Sequence, residues 1–292
     1  MHSAEEIRTH FINVLLQELR STETKCPLTS EREITTGFYV LLEHHEGWSR
    51  TDFVLNSKKK VDWPWVEEAL SALISGKPLQ LITGSVFFYG LELNTCEDVL
   101  IPRPETEELV DMAVAQKTSS SLRWVDVGTG SGCIAAAIAA SRPQDKVYGA
   151  DVSTHALTCA MNNFNALDLA AIPIEFNILE EEWDTANRPL DVIISNPPYI
   201  PEKERTDMAE WVVAHDPELA LFVPDDDPLL FYRALDQMAV KAFRGKGGEL
   251  WAEIHENYGS ALVTYFQSQH RNAVIHKDLQ GKDRILYVAY GQ

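Results

Sequence analysis

A glycine-punctuated turn between a buried strand and an apolar helix constrains this chain's fold more than any other stretch. Arg123-Trp124-Val125-Asp126-Val127 reads as the strand, Gly128-Thr129-Gly130-Ser131-Gly132 as the turn, and Cys133 to Ala140 as the helix. Glycine accepts positive φ and lets a ligand approach the backbone closely, while a helix start presents unbonded N–H groups. The unit predicts an α/β fold with a nucleotide-like ligand at the turn. Its spacing is G-x-G-x-G, not the G-x-G-x-x-G that seats a pyrophosphate, so a phosphate-free adenosine compound fits better than a dinucleotide.

The next strand, Lys146 to Asp151, ends in an acid about 25 residues beyond Asp126, close to the spacing at which an acid meets a ribose hydroxyl pair. Capping of a helix starting near Ser153 is the competing role for Asp151, and the glycine turn ahead of it favours the ribose. Further on, Asn196-Pro197-Pro198-Tyr199 follows the strand-like run Asp191 to Ser195. Its residues therefore sit at a strand's carboxyl end, where open α/β sheets bind ligands. The Asn196 side-chain carbonyl and backbone carbonyls directed by two prolines make a set of acceptors suited to a planar NH2 group. In isolation the tetrapeptide reads equally well as an Asn-Pro turn; the glycine turn upstream favours a site.

Strands are expected near 123–127, 147–151, 174–177, 191–195, 248–252, 273–277 and 284–290. Helices between them predict a mostly parallel seven-stranded sheet covered on both faces, with right-handed crossovers. No helix separates the last two strands, so one is expected to run antiparallel at the sheet edge. Residues 1–76 read as a small helical domain. Ile7, Phe11, Val14, Leu15 and Leu19 share one helical face, a second pattern surrounds Phe38, Leu41 and Leu42, and a third runs from Trp65 to Ile74 before Gly76 and Pro78. Residues 77–104 read as a β-hairpin linker, with Val86 to Tyr89 and Leu91 to Leu93 flanking Gly90. The second domain, 105–292, is introduced by Arg103-Pro104-Glu105-Thr106-Glu107, where proline and acids suit a helix's first turn.

Forty-four acidic against 25 basic residues give a net charge of −19. Such a surface repels a phosphate backbone, so nucleic acid is not expected as a direct partner. Cys26, Cys96, Cys133 and Cys159 form no C-x-x-C pair, which indicates neither a zinc knuckle nor a disulfide framework and suits a reducing cytoplasm. His44 and His45 have no ligand spacing with other His or Cys, and no metal is expected. No stretch approaches the ~18 apolar residues of a membrane span, nor does the start carry a signal-peptide pattern, so a soluble, unexported protein is expected. A G-x-S-x-G elbow is absent, which removes one hydrolase class.

Four segments together, Gly84 to Gly90 (GSVFFYG), Leu100 to Glu107 (LIPRPETE), Asp126 to Gly132 (DVGTGSG) and Asn196 to Pro201 (NPPYIP), closely resemble the PrmC/HemK family. The resemblance runs from about Gly76 to Tyr290; the N-terminal helices match only in kind. N-P-P-Y is shared with adenine and cytosine amino-methyltransferases, so R-P-E-T-E joined to the upstream FYG carries the specificity. The resemblance implies a Rossmann-like class I fold that uses S-adenosylmethionine to methylate the side-chain amide nitrogen of the glutamine in the GGQ loop of class 1 peptide-chain release factors. It implies that Asn196 and Pro197 accept the two amide N–H bonds, with Pro198 beside them and Tyr199 packed on the amide face. Gly128, Thr129, Gly130 and Gly132 would line the methionine and ribose, with Asp126 and Ser131 in the same loop and Asp151 on the ribose. Val152, Asn177 and Ile178 would complete the cofactor pocket, and Arg103, Glu105 and Thr106 would lie near it.

Asn177 departs from the family pattern, which commonly has an aspartate facing the adenine amino group. His255 and Tyr258 replace a usual glycine and glutamine on the substrate side. The rival readings are methylation of a glutamine in another protein, such as a ribosomal protein, adenine amino-methylation of nucleic acid, and a non-enzymatic adenosine-binding module.

Overall fold

The structure, a computed structural model, describes residues 2–21, 24–115, 117 and 121–291; the expected domain limits at Met1 and Gln292 lie outside them. The chain divides into two compact units, one taking in the residues up to Ser85 together with Met208–His215, the other Val86–Asp207 with the chain from Asp216 onward. The division thus falls within the stretch 77–104, and a short segment after the N-P-P-Y motif belongs with the N-terminal helices.

The first unit contains helices Ala4–Glu18, Glu31–Glu46, Arg50–Asn56, Trp65–Ile74 and Leu79–Thr83. Ser3, Ser30 and Ser49 each cap a helix and receive a carboxylate reciprocally from Glu6, Glu33 and Asp52, which satisfies two orphan donors per helix start. Phe11, Leu15, Phe38, Leu41 and Leu73 are fully buried between them. Arg50–Asn56 escapes sequence reading because its seven residues bury only Phe53, too little to show a period.

The second unit is built on seven strands: β1 (Arg123–Val127), β2 (Lys146–Asp151), β3 (Ala171–Glu175), β4 (Val192–Ser195), β5 (Gly248–Glu253), β6 (Ala273–Lys277) and β7 (Asp283–Tyr290). They lie in the order β6-β7-β5-β4-β1-β2-β3. Neighbours from β5 to β3 pair in parallel, and β7 pairs antiparallel with both β5 and β6. The antiparallel strand is therefore one position in from the edge, because β7 inserts between β5 and β6. β3 begins and ends earlier than the sequence pattern suggests, and Phe176 and Asn177 leave the sheet.

Period-two alternation sends Trp124, Val192, Ile194 and Trp251 into one core with Ile134, Ile138 and Phe164. Val125, Val127, Ile193 and Leu250 face the other, against Tyr232, Leu235, Leu262 and Phe266. Both faces are thus covered by helices, as a parallel sheet requires. Ahead of the sheet, Ser85–Phe88 and Leu91–Asn94 form a hairpin whose turn places Tyr89 at φ 51° and Gly90 at φ 76°, the mirror-image geometry that matches strand twist. The Tyr89 N–H donates to Glu107 at 2.9 Å, so the FYG and R-P-E-T-E segments are joined in space.

Cys96 and Cys159 are disulfide-bonded across 63 residues, contrary to the expectation of no disulfide; the two approach only because the fold lays the segment after the hairpin against helix Thr154–Ala166. Among the described residues, no helix is long and apolar enough to cross a membrane.

Candidate active site

The parallel register sets Asp126 opposite Ile194 and Val127 opposite Ala150. The loop leaving β1 consequently emerges between Asn196, just past β4, and Asp151, at the end of β2. Strand order reverses direction between β1 and β4, which makes this crevice the topological switch point where α/β sheets bind ligands. The Ser195 hydroxyl donates to the Val127 carbonyl at 2.6 Å and clamps the two strand ends together. Gly128 and Thr129 N–H both donate to the Ala150 carbonyl, at 2.8 and 2.9 Å.

A cavity opens there. Gly128, Thr129, Gly130 and Ser131 form its floor, Asp151, Val152, Asn177 and Ile178 one wall, and Asn196, Pro197, Pro198, Arg103 and Thr106 the other. A Cβ on Gly128 (φ +73°) or Gly130 (φ +55°) would meet only the Asn196 carbonyl or Val99 at about the van der Waals limit; that space faces the cavity. Ser131 Oγ is buried without a protein partner. Asp151 takes one N–H on each oxygen, from Gly130 and from Ser153, both at 2.9 Å, which leaves lone pairs for a pair of hydroxyls. The helix-capping role falls to Ser153, which accepts from the Ala156 N–H.

Three expected cofactor residues stand outside the cavity wall. Asp126 is fully buried beneath the loop, accepting from the Thr129 hydroxyl at 2.6 Å and the Ala135 N–H at 3.3 Å, and so braces the loop from below. Gly132 is required by packing, since its Cβ would fall 2.7 Å from the Phe164 ring. Glu105 lies in the first turn of helix Pro104–Ala115; burial pushes the Glu253 carboxyl up, and the like charge of Glu105 adds to that rise. Tyr199 also lies off the cavity, with its hydroxyl donating to Glu253 Oε1 at 3.0 Å and its ring edge-on to His255.

Burial raises the Asp126 carboxyl to about 7. The unfolded carboxyl titrates near 4, so its contribution to stability is complete below that value and is lost as pH rises through the folded value, on the order of 4 kcal/mol over the span. Asp126→Asn keeps an acceptor for Thr129 and cannot ionise. It is expected to flatten the decline of urea-unfolding free energy between about pH 4 and pH 7, and an unaltered slope would place the titration elsewhere.

Sequence reading misses three residues that hold the site. Glu253, at the end of β5, accepts from the Thr106 hydroxyl at 2.7 Å, and Thr106 in turn accepts from Asn196 Nδ2 at 3.1 Å. Asp216 is buried and pairs with Arg103, fixing the guanidinium at the rim. Asn163 donates to the Ser131 carbonyl at 2.9 Å and accepts from the Asn94 N–H at 2.8 Å, tying the glycine loop to the hairpin. Their partners are distant in sequence, and only the A-E end of β5 and the D-P step at Asp216-Pro217 hint at them.

The switch-point cavity, its glycine floor, the strand-end acid and the Asn-Pro-Pro loop define a class I S-adenosylmethionine-dependent methyltransferase. Residues 107–220 match the Methyltransferase small domain family and residues 29–84 the PrmC N-terminal domain family. A release factor glutamine methyltransferase of Flavobacterium psychrophilum is 37% identical over 97% of this chain and 98% of its own length. One from Bacteroides thetaiotaomicron is 39% identical over 80% and 83%. The catalytic domain of human METTL16, 16% identical, superposes with a TM-score of 0.52 over 70% of this chain and 76% of that one, a likeness of fold alone. The chain belongs to the release factor glutamine methyltransferase family.

Proposed function

We propose that this enzyme transfers the methyl group of S-adenosylmethionine to the side-chain amide nitrogen of the glutamine in a release factor's GGQ loop. The observation that carries the proposal is Asn196: its NH2 faces Thr106 and donates to it, which leaves its carbonyl turned to the cavity wall for an incoming amide N–H. Bound S-adenosylmethionine supplies an electrophilic methyl on a sulfonium. The open glycine floor, the unpartnered Ser131 hydroxyl and the spare lone pairs of Asp151 fit its methionine and ribose portions, and Val152, Asn177 and Ile178 its adenine.

An amide nitrogen is a weak nucleophile because its lone pair is delocalised into the carbonyl. Two acceptors, Asn196 Oδ1 and the Pro197 carbonyl, would each take one N–H, orient the nitrogen and stabilise the positive charge that develops on it in the transition state. As the N–methyl bond forms, the methyl–sulfur bond breaks to leave a neutral thioether, and the nitrogen, having lost its amide conjugation, becomes acidic enough to release one of its two protons to water, so no acid–base triad is needed. That substrate places the reaction in the cytoplasm. Mass spectrometry of a purified release factor before and after incubation with enzyme and cofactor tests the proposal: one added methylene on the GGQ peptide supports it, and an unmodified peptide rejects it.

Asn177 Oδ1 already accepts from the Leu179 N–H at 3.0 Å. Asn177→Asp would keep that acceptor and turn the second atom into another. Cofactor affinity measured by calorimetry is expected to hold or to tighten by about fivefold, the difference between a neutral and a charge-assisted hydrogen bond. A large loss would assign Asn177 another job.

The helical unit, which carries no cofactor motif, is read as the dock for the folded substrate protein. Glu5→Lys with Asn13→Lys, both on the exposed side of helix Ala4–Glu18, is expected to slow methylation of an intact release factor by about 3- to 10-fold through docking. A short GGQ peptide cannot use remote binding energy and should be unaffected. Equal slowing of both substrates would reject docking.

A further inference from the structure

We infer that Glu253 and Thr106 are positioning residues that fix which end of the Asn196 amide faces the substrate. The inference rests on the amide-methylation reading above and extends it to two residues that touch neither reactant nitrogen nor methyl.

Carbonyl oxygen and NH2 group are nearly equal in size, so packing cannot distinguish an Asn side chain from the same side chain turned by a half-rotation. Only hydrogen-bond polarity can. An ionised carboxylate is purely an acceptor, and a threonine hydroxyl has a single proton to give. Thr106 donates that proton to Glu253 Oε2 at 2.7 Å, which leaves it only lone pairs on the side facing Asn196. Asn196 must then present NH2, as it does at 3.1 Å, and Oδ1 is left for the cavity. Turned over, the amide would set an oxygen against the Thr106 lone pairs and two N–H bonds against the incoming amide's own N–H.

Water cannot substitute for either partner, because Thr106 is 1% and Glu253 2% exposed. The same carboxylate receives the Tyr199 hydroxyl on its other oxygen, Oε1. One buried acid at the end of β5 thereby holds the two polar side chains of the N-P-P-Y loop, Tyr199 directly and Asn196 through Thr106, and the loop reaches it from the end of β4 through the register pairing Ala252 with Ser195. Burial pushes the Glu253 carboxyl up and Glu105 adds like charge, while the Thr106 and Tyr199 hydroxyls, one on each oxygen, and the Arg284 guanidinium on β7 favour its ionised, acceptor-only form.

The test uses the full-length enzyme, purified release factor and S-adenosylmethionine, with Thr106→Val, Thr106→Ser, Glu253→Gln and the pair Thr106→Val with Asn196→Ala. Thr106→Val should lower kcat on the order of 100-fold, the scale of a misplaced reacting group, with cofactor affinity by calorimetry unchanged. Thr106→Ser keeps the hydroxyl and should restore most of the rate. The paired variant should be no slower than Asn196→Ala alone, since Thr106 acts only through Asn196. Wild-type kcat in Thr106→Val, a Thr106→Ser as slow as the valine variant, or a multiplicative loss in the pair would overturn the inference. If Thr106→Val does not fold, Glu253→Gln, which sets an NH2 against one of the two hydroxyls, should lower kcat with unchanged cofactor affinity; a wild-type kcat rejects the idea. The Asn196 NH2 protons supply a readout free of any substrate: slow solvent exchange by NMR in wild type and Thr106→Ser, fast in Thr106→Val. Unmodified release factor with wild-type enzyme rejects the amide-methylation reading instead, and the exchange pattern then still decides the orientation.

Discussion

Asn196→Ala is expected to lower kcat for release-factor methylation by on the order of 10²- to 10³-fold, the usual cost of removing one preorganised charge-stabilising contact. S-adenosylmethionine affinity should change by less than about twofold. The asymmetry follows from where the side chain points. Its NH2 is engaged by Thr106, and its Oδ1 is offered to the acceptor amide, whose nitrogen gains most from that contact when the methyl is being transferred. Alanine leaves the neighbouring prolines, and thus the loop's direction, in place. Thr106 keeps its donation to Glu253, so little else is disturbed. Single-turnover methyl transfer and calorimetry measure the two halves separately. A wild-type rate would show that the Pro197 carbonyl suffices, and a parallel loss of cofactor affinity would show that Asn196 builds the pocket instead.

What the sequence makes legible is what the backbone alone determines. The glycine turn, the strand-end acid and the Asn-Pro-Pro loop are short, and each owes its geometry to residues with special φ or no N–H, so their spacing survives without tertiary information. Glu253 is different. It reads as the last residue of a buried strand, and its meaning comes from Thr106, 147 residues away, which only the packing of helix Pro104–Ala115 against β5 brings within reach. The Cys96–Cys159 bond, across 63 residues, is hidden for the same reason. Asp126 shows the converse: the resemblance sets it in the cofactor loop, and the alternation of β1 buries its side chain beneath that loop. The edge position expected of the antiparallel strand fails because sequence shows that a helix is missing between β6 and β7 without showing that β7 inserts beside β5.

Asp151→Ala is expected to weaken S-adenosylmethionine binding by about 1.5–3 kcal/mol, roughly 10- to 150-fold, the range for hydrogen bonds to a charged group. The carboxylate has two jobs that the bare loss of affinity would confound. It accepts from Gly130 and Ser153 at 2.9 Å each, holding the glycine floor, and it offers its remaining lone pairs to the ribose. Burial raises its pKa, yet the two N–H donors work against that rise, as hydrogen bonds to a charged form do. A cofactor-product analogue without the 2′ and 3′ hydroxyls separates the jobs. If Asp151 grips the ribose, the analogue binds wild type and Asp151→Ala equally, because the contact is missing in both. If Asp151 only shapes the loop, the analogue loses as much affinity on substitution as the complete product does. The first pattern makes the strand-end acid a ligand; the second makes it a second Asp126, and moves the ribose contact to another wall of the cavity.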